Sequence, residues 1–179
     1  MSGGYHDPFT VHRLPRGRSP APRGASPVRM TVVAVGKLRP AFREAADDYL
    51  RRLGRYVPVE EVEVREAGKA VSTAEALRQE GRRLETRLAG ARRVVALDRK
   101  GTAWSSEELA RQLERWRLDG GSLTFVVGGS HGLDSAVLAE ADQRWSLGPI
   151  TLPHELARVV LLEQLYRAWT ILRGEPYHK

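Results

Sequence analysis

The feature that most constrains the fold is a set of short, continuous apolar runs that alternate with helical patterns. Residues 31–35 (TVVAV), 93–98 (RVVALD) and 123–127 (LTFVV) are rich in valine and lack polar alternation. Runs of this kind are typical of parallel strands that are buried on both faces. The order of strands and helices predicts an α/β fold with a mainly parallel sheet and helices on both faces.

The remaining elements follow from periodicity and capping signals. Acids interleaved with valines predict a further strand over residues 57–64, and residues 146–152 suggest a short strand and turn. Serine and glutamate three residues apart, at Ser72 and Glu75 and at Ser105 and Glu108, mark the starts of two helices. The predicted helices cover residues 40–53, 72–88, 105–116, 135–141 and 154–172.

The first 29 residues differ in composition from the rest of the chain. Residues 1–28 contain five of the ten prolines and four of the 17 glycines, with no apolar period. Such a segment buries too little surface to offset its ordering entropy. We therefore predict a disordered extension over residues 1–29, either dispensable or upstream of a functional start at Met30, and a single domain over residues 30–179. The extension has no continuous apolar segment, so it does not resemble a secretory signal. Its arginine-rich, acid-poor composition resembles an organellar transit peptide only weakly.

Charge and cysteine content narrow the class of protein. Residues 1–29 hold five arginines and one aspartate, a charge of +4, whereas the other 150 residues hold 24 basic and 21 acidic side chains, a charge of +3. A mildly basic body is compatible with a partner that carries phosphates. The absence of cysteine excludes disulfides and thiolate metal sites and fits a cytoplasmic protein. No apolar run is long enough to span a membrane, so a soluble protein is expected.

The segment 125–132 (FVVGGSHG) joins a predicted strand to a loop with three glycines. It lacks the order and position of the dinucleotide fingerprint and has no lysine of a P-loop. A tight turn between strand and helix would also explain the glycines. Ligands of open α/β sheets bind beyond the carboxyl ends of strands. The loops after residues 97 and 127 and around 147–152 therefore predict one shared site.

The segment 146–151 lies between Trp145 and a strongly apolar helix but has little regularity of its own. Buried irregular backbone needs hydrogen-bond partners. A ligand with donors and acceptors on one edge, such as an adenine, would supply them, and Gly148 and Pro149 would shape the turn.

Several motifs together resemble the RlmH family of SPOUT-class RNA methyltransferases, and the resemblance covers residues 30–179. The motifs are LDRKG (97–101), SSEELA (105–110), FVVGGSHGL (125–133), WSLGPITLPHELARVVLLEQLYRAW (145–169) and PYHK (176–179). The resemblance implies a homodimer with a C-terminal trefoil knot that holds S-adenosylmethionine. It also implies methylation of N3 of a pseudouridine in the helix 69 stem-loop of 23S rRNA, on assembled 70S ribosomes. Neither a metal ion nor a membrane is expected as a partner of the protein.

The resemblance assigns the cofactor contacts to the same three loops. Leu97 and Ile150 would enclose the adenine, backbone groups near Leu147 and Leu152 would pair with its edge, and Gly128 would lie against the ribose or methionine. The complete set of implied cofactor residues is Leu97, Gly128, Leu147, Gly148, Pro149, Ile150, Thr151 and Leu152.

The candidates for catalysis are His154, Arg158, Tyr177 and His178. His178 suits the base that removes the N3 proton, since histidine titrates near neutral pH; the alternative is a frayed terminal residue. Tyr177 would stack on a base or donate to a carbonyl oxygen. Arg158 would hold a phosphate or uracil oxygen, or form a salt bridge to an acid such as Glu155; His154 would act beside it or only cap its helix.

The last helix is apolar on nearly every side, which predicts burial all round with a second subunit as one of its partners. In an antiparallel dimer, the tail of one subunit would complete the site of the other. His131 is expected to face solvent. Three rival functions are another SPOUT RNA methyltransferase, a non-catalytic RNA- or nucleotide-binding module, and a Rossmann dehydrogenase, which the misplaced glycines and the missing ribose-binding acid disfavour.

Overall fold

The computed structural model describes residues 28–178, without the side chain of His178. The predicted extension over residues 1–29 therefore lies almost wholly outside the described residues, and its boundary stays a prediction. The strands are β1 (Arg29–Val35), β2 (Val59–Val64), β3 (Arg93–Ala103), β4 (Ser122–Val127) and β5 (Gln143–Ser146). The helices are α1 (Pro40–Leu53), α2 (Thr73–Leu88), α3 (Ser106–Asp119), α4 (Ser135–Glu140) and α5 (His154–Arg173), followed by a 3-10 turn (Pro176–His178).

The five strands form one sheet in the order β2-β1-β4-β3-β5, and every pair in it is parallel. Helices α1, α3 and α5 pack on one face, over a core that includes Phe125, Trp145 and Leu165. Helices α2 and α4 cover the other face, over Val33, Val126 and their neighbours. The predicted α/β fold with helices on both faces of a parallel sheet is confirmed.

The helix connections create a crevice at the carboxyl end of β4. Strands β1 and β3, which flank β4, continue into α1 and α3 on one face, whereas β4 continues into α4 on the other. Where the connections from two neighbouring strands run to opposite faces of the sheet, a crevice forms between them. Ligands of open α/β sheets bind in this crevice. The fold therefore places a ligand site around the end of β4.

Strand β3 is longer than predicted. It was expected to end at Asp98, but it continues to Ala103, because the chain bulges after Leu97 and pairs with β5 again at Thr102. A side chain on Gly101 would overlap the backbone of Arg144 in β5, so a glycine at this position allows the second pairing. The bulge is a tertiary feature, and the local pattern of charged residues gives no strand signal there.

The capping predictions hold to different degrees. Ser105 and Glu108 form both hydrogen bonds of a capping box at the start of α3. At α2, Ser72 accepts a hydrogen bond from the backbone of Glu75, but the Glu75 carboxylate accepts from Arg78 and Gln79 instead of reaching back. Helix α2 therefore has half of the predicted box.

No helix in the described part of the chain is long and apolar enough to cross a membrane. Within the same residues, no group of three or more histidine or acidic side chains is arranged to hold a metal ion. The trefoil knot that the resemblance implies stays a prediction.

Candidate cofactor and catalytic site

Two of the three loops expected to form a site follow strands β4 and β5, whereas the third position, Leu97, lies at the bulge within β3 and not in a loop. The pairing of β3 with β4 ends at Ala96, directly before Leu97, and Gly128 directly follows β4. Leu147 directly follows β5, which is the next strand beyond β3. Because all three strands are parallel, their carboxyl ends lie at one edge of the sheet, as predicted from the sequence.

The loop between β5 and α5 is irregular, and its first turn is held by Ser146. The Ser146 hydroxyl accepts a hydrogen bond from the amide of Gly148 at 3.2 Å and donates one to its carbonyl oxygen at 3.1 Å. Gly148 has φ +116°, a conformation that residues with a Cβ rarely adopt. Trp145 anchors the other side of this turn, since it is 2% exposed and stacks on Trp104.

The tip of this loop presents chemistry that fits an adenine. Ile150 is 66% exposed, whereas Leu97 and Leu147 are half-buried. Within residues 28–178, the backbone groups of residues 149–152 have no hydrogen-bond partner. An apolar surface beside free amides and carbonyls is the usual combination in nucleoside sites, so these residues fit the adenosyl group.

The glycine loop after β4 is explained largely by its own geometry. A Cβ on Gly128 would overlap the carbonyl group of Gly132, because the chain folds back there in a turn closed by a hydrogen bond from Gly132 to Gly129 of 3.1 Å. The turn itself therefore requires a glycine at 128, and the cofactor contact of Gly128 stays a prediction. His131 is exposed at the tip of this loop, as expected.

His154 is the first residue of α5, and its Nε2 lies 3.5 Å from Oε1 of Glu66. The alternative that His154 caps the helix is wrong, because Pro153 occupies the N-cap position. The Glu66 carboxylate also lies against Gly36, where a side chain would overlap it. His154 is thus placed beside the carboxyl ends of β1 and β2, with 20% of its side chain exposed.

Arg158 is 1% exposed and binds four acceptors. Its guanidinium donates to Glu61 at 3.0 Å and Glu63 at 2.9 Å on β2, and to the carbonyl oxygens of Val35 at 3.3 Å and Gly36 at 2.7 Å after β1. Every one of these contacts is internal to the chain. The arrangement makes Arg158 a tie between α5 and two strand ends.

The predicted salt bridge of Arg158 to Glu155 is not formed. Glu155 instead accepts hydrogen bonds of 2.7 Å from the backbone amide and from the side chain of Arg39. The hydrogen bond from the Arg39 amide, with the nearby guanidinium, holds the pKa of the Glu155 carboxyl below its usual range. Two separate ionic contacts therefore fix the first turn of α5, one to the segment before α1 and one to β1 and β2.

Tyr177 packs on the middle of α5. Its hydroxyl donates to Glu163 at 3.2 Å, its ring meets Tyr166 edge to face at 4.7 Å, and the guanidinium of Arg167 lies 4.8 Å from its ring centre. Burial, with the contacts to neighbouring Tyr49 and Glu163, raises the pKa of Tyr177 above its usual value. The phenol is therefore protonated at neutral pH and acts as a hydrogen-bond donor. His178 lies in the terminal turn, and its side chain lies outside the described part of the structure.

Two carboxylates near the site were missed in the sequence. Glu66 lies beside Gly36 and His154, and Glu80 of α2 is 8% exposed and reaches the glycine loop. A signal for Glu80 was present, because it occupies the position between Ala76 and Leu84 on the buried stripe of α2. An acid on an apolar stripe is uncommon unless it has a partner.

Known proteins match the chain over nearly all described residues. The family model described as "Predicted SPOUT methyltransferase" matches residues 28–178. A ribosomal RNA large subunit methyltransferase H from Rubrobacter xylanophilus is 58% identical over 154 residues, which are 84% of this chain and 98% of that protein. A protein of the same name from an Anaeromyxobacter species is 49% identical over 153 residues, covering 85% of this chain and all of its own length.

A solved structure agrees at the level of the fold. The crystal structure of a probable methyltransferase from Bordetella pertussis Tohama I has a TM-score of 0.52 at 18% identity, over 79% of this chain and 96% of that one. The parallel sheet, its strand-end site and these matches define a methyltransferase of the SPOUT class. Its methyl donor is S-adenosylmethionine, as predicted. Within the class, the chain belongs to the family of ribosomal RNA large subunit methyltransferase H.

Replacing Arg158 with methionine should lower the free energy of unfolding by about 3 kcal/mol, because it removes the buried cation of a cluster in which Arg43 alone would then face Glu61 and Glu63. Arg117→Met is the matched control, since it breaks a half-exposed pair with Glu114 and should cost less than about 1 kcal/mol. Urea denaturation measures both values. An Arg158→Met protein of normal stability that binds cofactor but transfers no methyl would instead indicate a direct role in catalysis.

Proposed function

We propose that this protein methylates N3 of a pseudouridine in the helix 69 stem-loop of 23S rRNA, on assembled ribosomes in the cytoplasm. The family relationship supports an rRNA substrate, since the relatives are named ribosomal RNA large subunit methyltransferases. The site that carries the proposal is the irregular β5–α5 loop, with its exposed Ile150 and unpaired backbone groups. A different position in RNA, modified by the same class of enzyme, is the alternative.

The cofactor would be held by the bulge of β3 and by the loops after β4 and β5. Leu97 and Ile150 would contact the two faces of the adenine, and the amides and carbonyls of residues 147–152 would bond to its edge. The sulfonium cofactor supplies an activated methyl group when bound. The remaining tasks of the chain are to bind the cofactor, to exclude water and to align the acceptor nitrogen with the methyl group.

The acceptor N3 carries a proton at neutral pH, so the protein must remove it and stabilise the resulting negative charge. His178 is proposed as the base. The neutral hydroxyl of Tyr177 would donate to a carbonyl oxygen of the uracil ring in place of its present bond to Glu163. His154 lies at the correct edge of the sheet, where it is a further candidate for contact with RNA. Arg158 is proposed to position α5, and through it the cofactor loop, because both terminal nitrogens of its guanidinium bind acceptors within the chain.

A homodimer would explain how the tail reaches the site. Tyr177 contacts Glu163, which lies nine residues after His154 and so about 14 Å further along α5. The tail is therefore remote from the cofactor loop of its own chain. Leu156 and Val160 of α5 are half-buried and lie outside the hydrophobic core. Within one chain, α5 is therefore not buried on every side, although the sequence predicts that it is. An antiparallel partner would cover these residues and bring its own tail to the cofactor loop.

A basic cleft supports a partner that carries phosphates. Arg65 at the end of β2 and Arg83 and Arg87 on α2 line one cleft, and Arg83 donates to the carbonyl oxygen of Arg65 at 2.7 Å. Within residues 28–178, none of the three forms an ion pair with an acid. Guanidinium groups that have no acidic partner suit the phosphates of an RNA backbone.

The substrate is tested with ribosomes from a strain that lacks the modification. Labelled methyl groups from S-adenosylmethionine should enter 70S particles, and mass mapping should place one additional methyl on the helix 69 fragment. Free 23S rRNA should accept few methyl groups, because the surface that the enzyme recognises would form only in the assembled ribosome. Transfer to free RNA but not to 70S particles, or to a different fragment, would assign the enzyme to another RNA position.

Ile150→Ser should weaken the binding of S-adenosylhomocysteine about tenfold or more, because burying such a side chain contributes roughly 1.5–3 kcal/mol. The thermal midpoint should hardly change, since Ile150 is already exposed. Leu118→Ser is the matched control, because Leu118 is 56% exposed at the end of α3, away from the strand-end loops. Isothermal titration calorimetry measures both affinities, and equal affinities for the two variants would remove Ile150 from the site.

A composite site predicts complementation between two inactive subunits. One variant would lack residues 177–179, and the other would carry Ile150→Asp in the cofactor loop. Each alone should transfer no methyl, whereas a mixture refolded together should recover activity in mixed dimers, where one complete site remains. Activity that stays absent in mixed dimers isolated with two different tags would mean that each tail serves its own subunit.

A further inference from the structure

Glu80 is a buried carboxylate that the proposed chemistry does not use. It lies on the apolar stripe of α2, between Ala76 and Leu84, and only 8% of the residue is exposed. Within the described residues, no lysine, arginine or histidine forms an ion pair with it. Burying a carboxylate without a cation is costly, so such a group usually has a functional or ligand partner.

The two oxygens of Glu80 differ in their surroundings. Oε1 accepts a hydrogen bond of 2.9 Å from the amide of Ala67, in the loop after β2. Oε2 has no hydrogen-bond partner in residues 28–178 and is directed at Gly129, where a Cβ would lie 3.1 Å from it. Hence one oxygen holds the β2–α2 loop, and the other is free to bind a donor at the glycine loop.

The free oxygen lies at the crevice beside the end of β4. A Cβ on Gly129 would also lie 3.1 Å from Val35 at the end of β1, so Glu80 reaches the gap between β1 and β4. Of the proposed adenine contacts, Leu97 lies at the bulge of β3, paired with Trp145, and Ile150 lies in the loop after β5. The two places are about 10 Å apart, or two strand spacings, along the same edge of the sheet. A cofactor that begins at the adenine loop and crosses the end of β4 would reach Glu80.

S-adenosylmethionine carries an α-ammonium group at the end opposite its adenine. An ammonium has three donors and no acceptor, which complements a carboxylate oxygen that has no partner of its own. We propose that Glu80 binds the α-ammonium of the cofactor through Oε2, while Oε1 keeps its bond to Ala67. This inference rests on the proposed cofactor site and adds a contact for the amino-acid end.

The test compares two ligands that differ at this end. S-adenosylhomocysteine contains the α-ammonium and α-carboxylate, whereas methylthioadenosine has the same adenosine and thioether without them. Glu80→Gln keeps an acceptor for the Ala67 amide but replaces the charged oxygen. Glu85→Gln makes the same change of charge on α2, at a residue that does not contact Gly129, and serves as the control.

Isothermal titration calorimetry with the full chain should show that Glu80→Gln weakens S-adenosylhomocysteine binding by about ten- to hundredfold, the usual effect of losing a hydrogen bond between charged groups. Its affinity for methylthioadenosine should equal that of the wild type, which also shows that the variant is folded. Glu85→Gln should bind both ligands normally.

Two results would overturn the proposal. An equal loss for both ligands would mean that Glu80 only maintains the β2–α2 loop, and no loss for either would mean that it does not contact the cofactor. If the wild-type protein binds neither ligand, the result refutes the proposed cofactor site itself, and with it the contact of Glu80 that depends on that site.

Discussion

The buried guanidinium of Arg158 holds together the parts of the chain that the proposed site requires. It joins α5 to two carboxylates of β2 and to two carbonyl oxygens at the end of β1. A cation in this position is stable only when its acceptors are all in place, because desolvation would otherwise outweigh the attraction. The start of α5 is thereby fixed, and the loop that precedes it, which carries Ile150, is held at the edge of the sheet.

The cofactor loop depends on this frame because it has little internal support. Apart from the Ser146–Gly148 turn, the loop makes no hydrogen bonds of its own among the described residues, and it is anchored by Trp145 on one side and α5 on the other. Free backbone groups are tolerated at a surface where water or a ligand can bind them. The same lack of internal bonding leaves these groups available for an adenine edge.

The glycines show how one residue type serves different physical needs. Gly128 is required by the close return of Gly132, and Gly148 by its positive φ. The family resemblance implies a cofactor contact at Gly128, but the turn alone already requires a glycine there. Gly129 differs, because the space beside it is bounded by a carboxylate of Glu80 and the side chain of Val35. At Gly129 the missing side chain therefore leaves room for a charged group to approach the glycine loop.

The sequence alone determined the alternation of strands and helices, the parallel sheet and the loops after β4 and β5, because apolar period and capping are local properties. It also carried the family motifs from residue 97 to the end. Tertiary structure decided the bulge of β3, the partners of Arg158 and the approach of Glu80 to Gly129. These contacts join residues such as Arg158 and Val35, which lie 123 positions apart, and no local pattern specifies which distant acceptor a buried charge will meet.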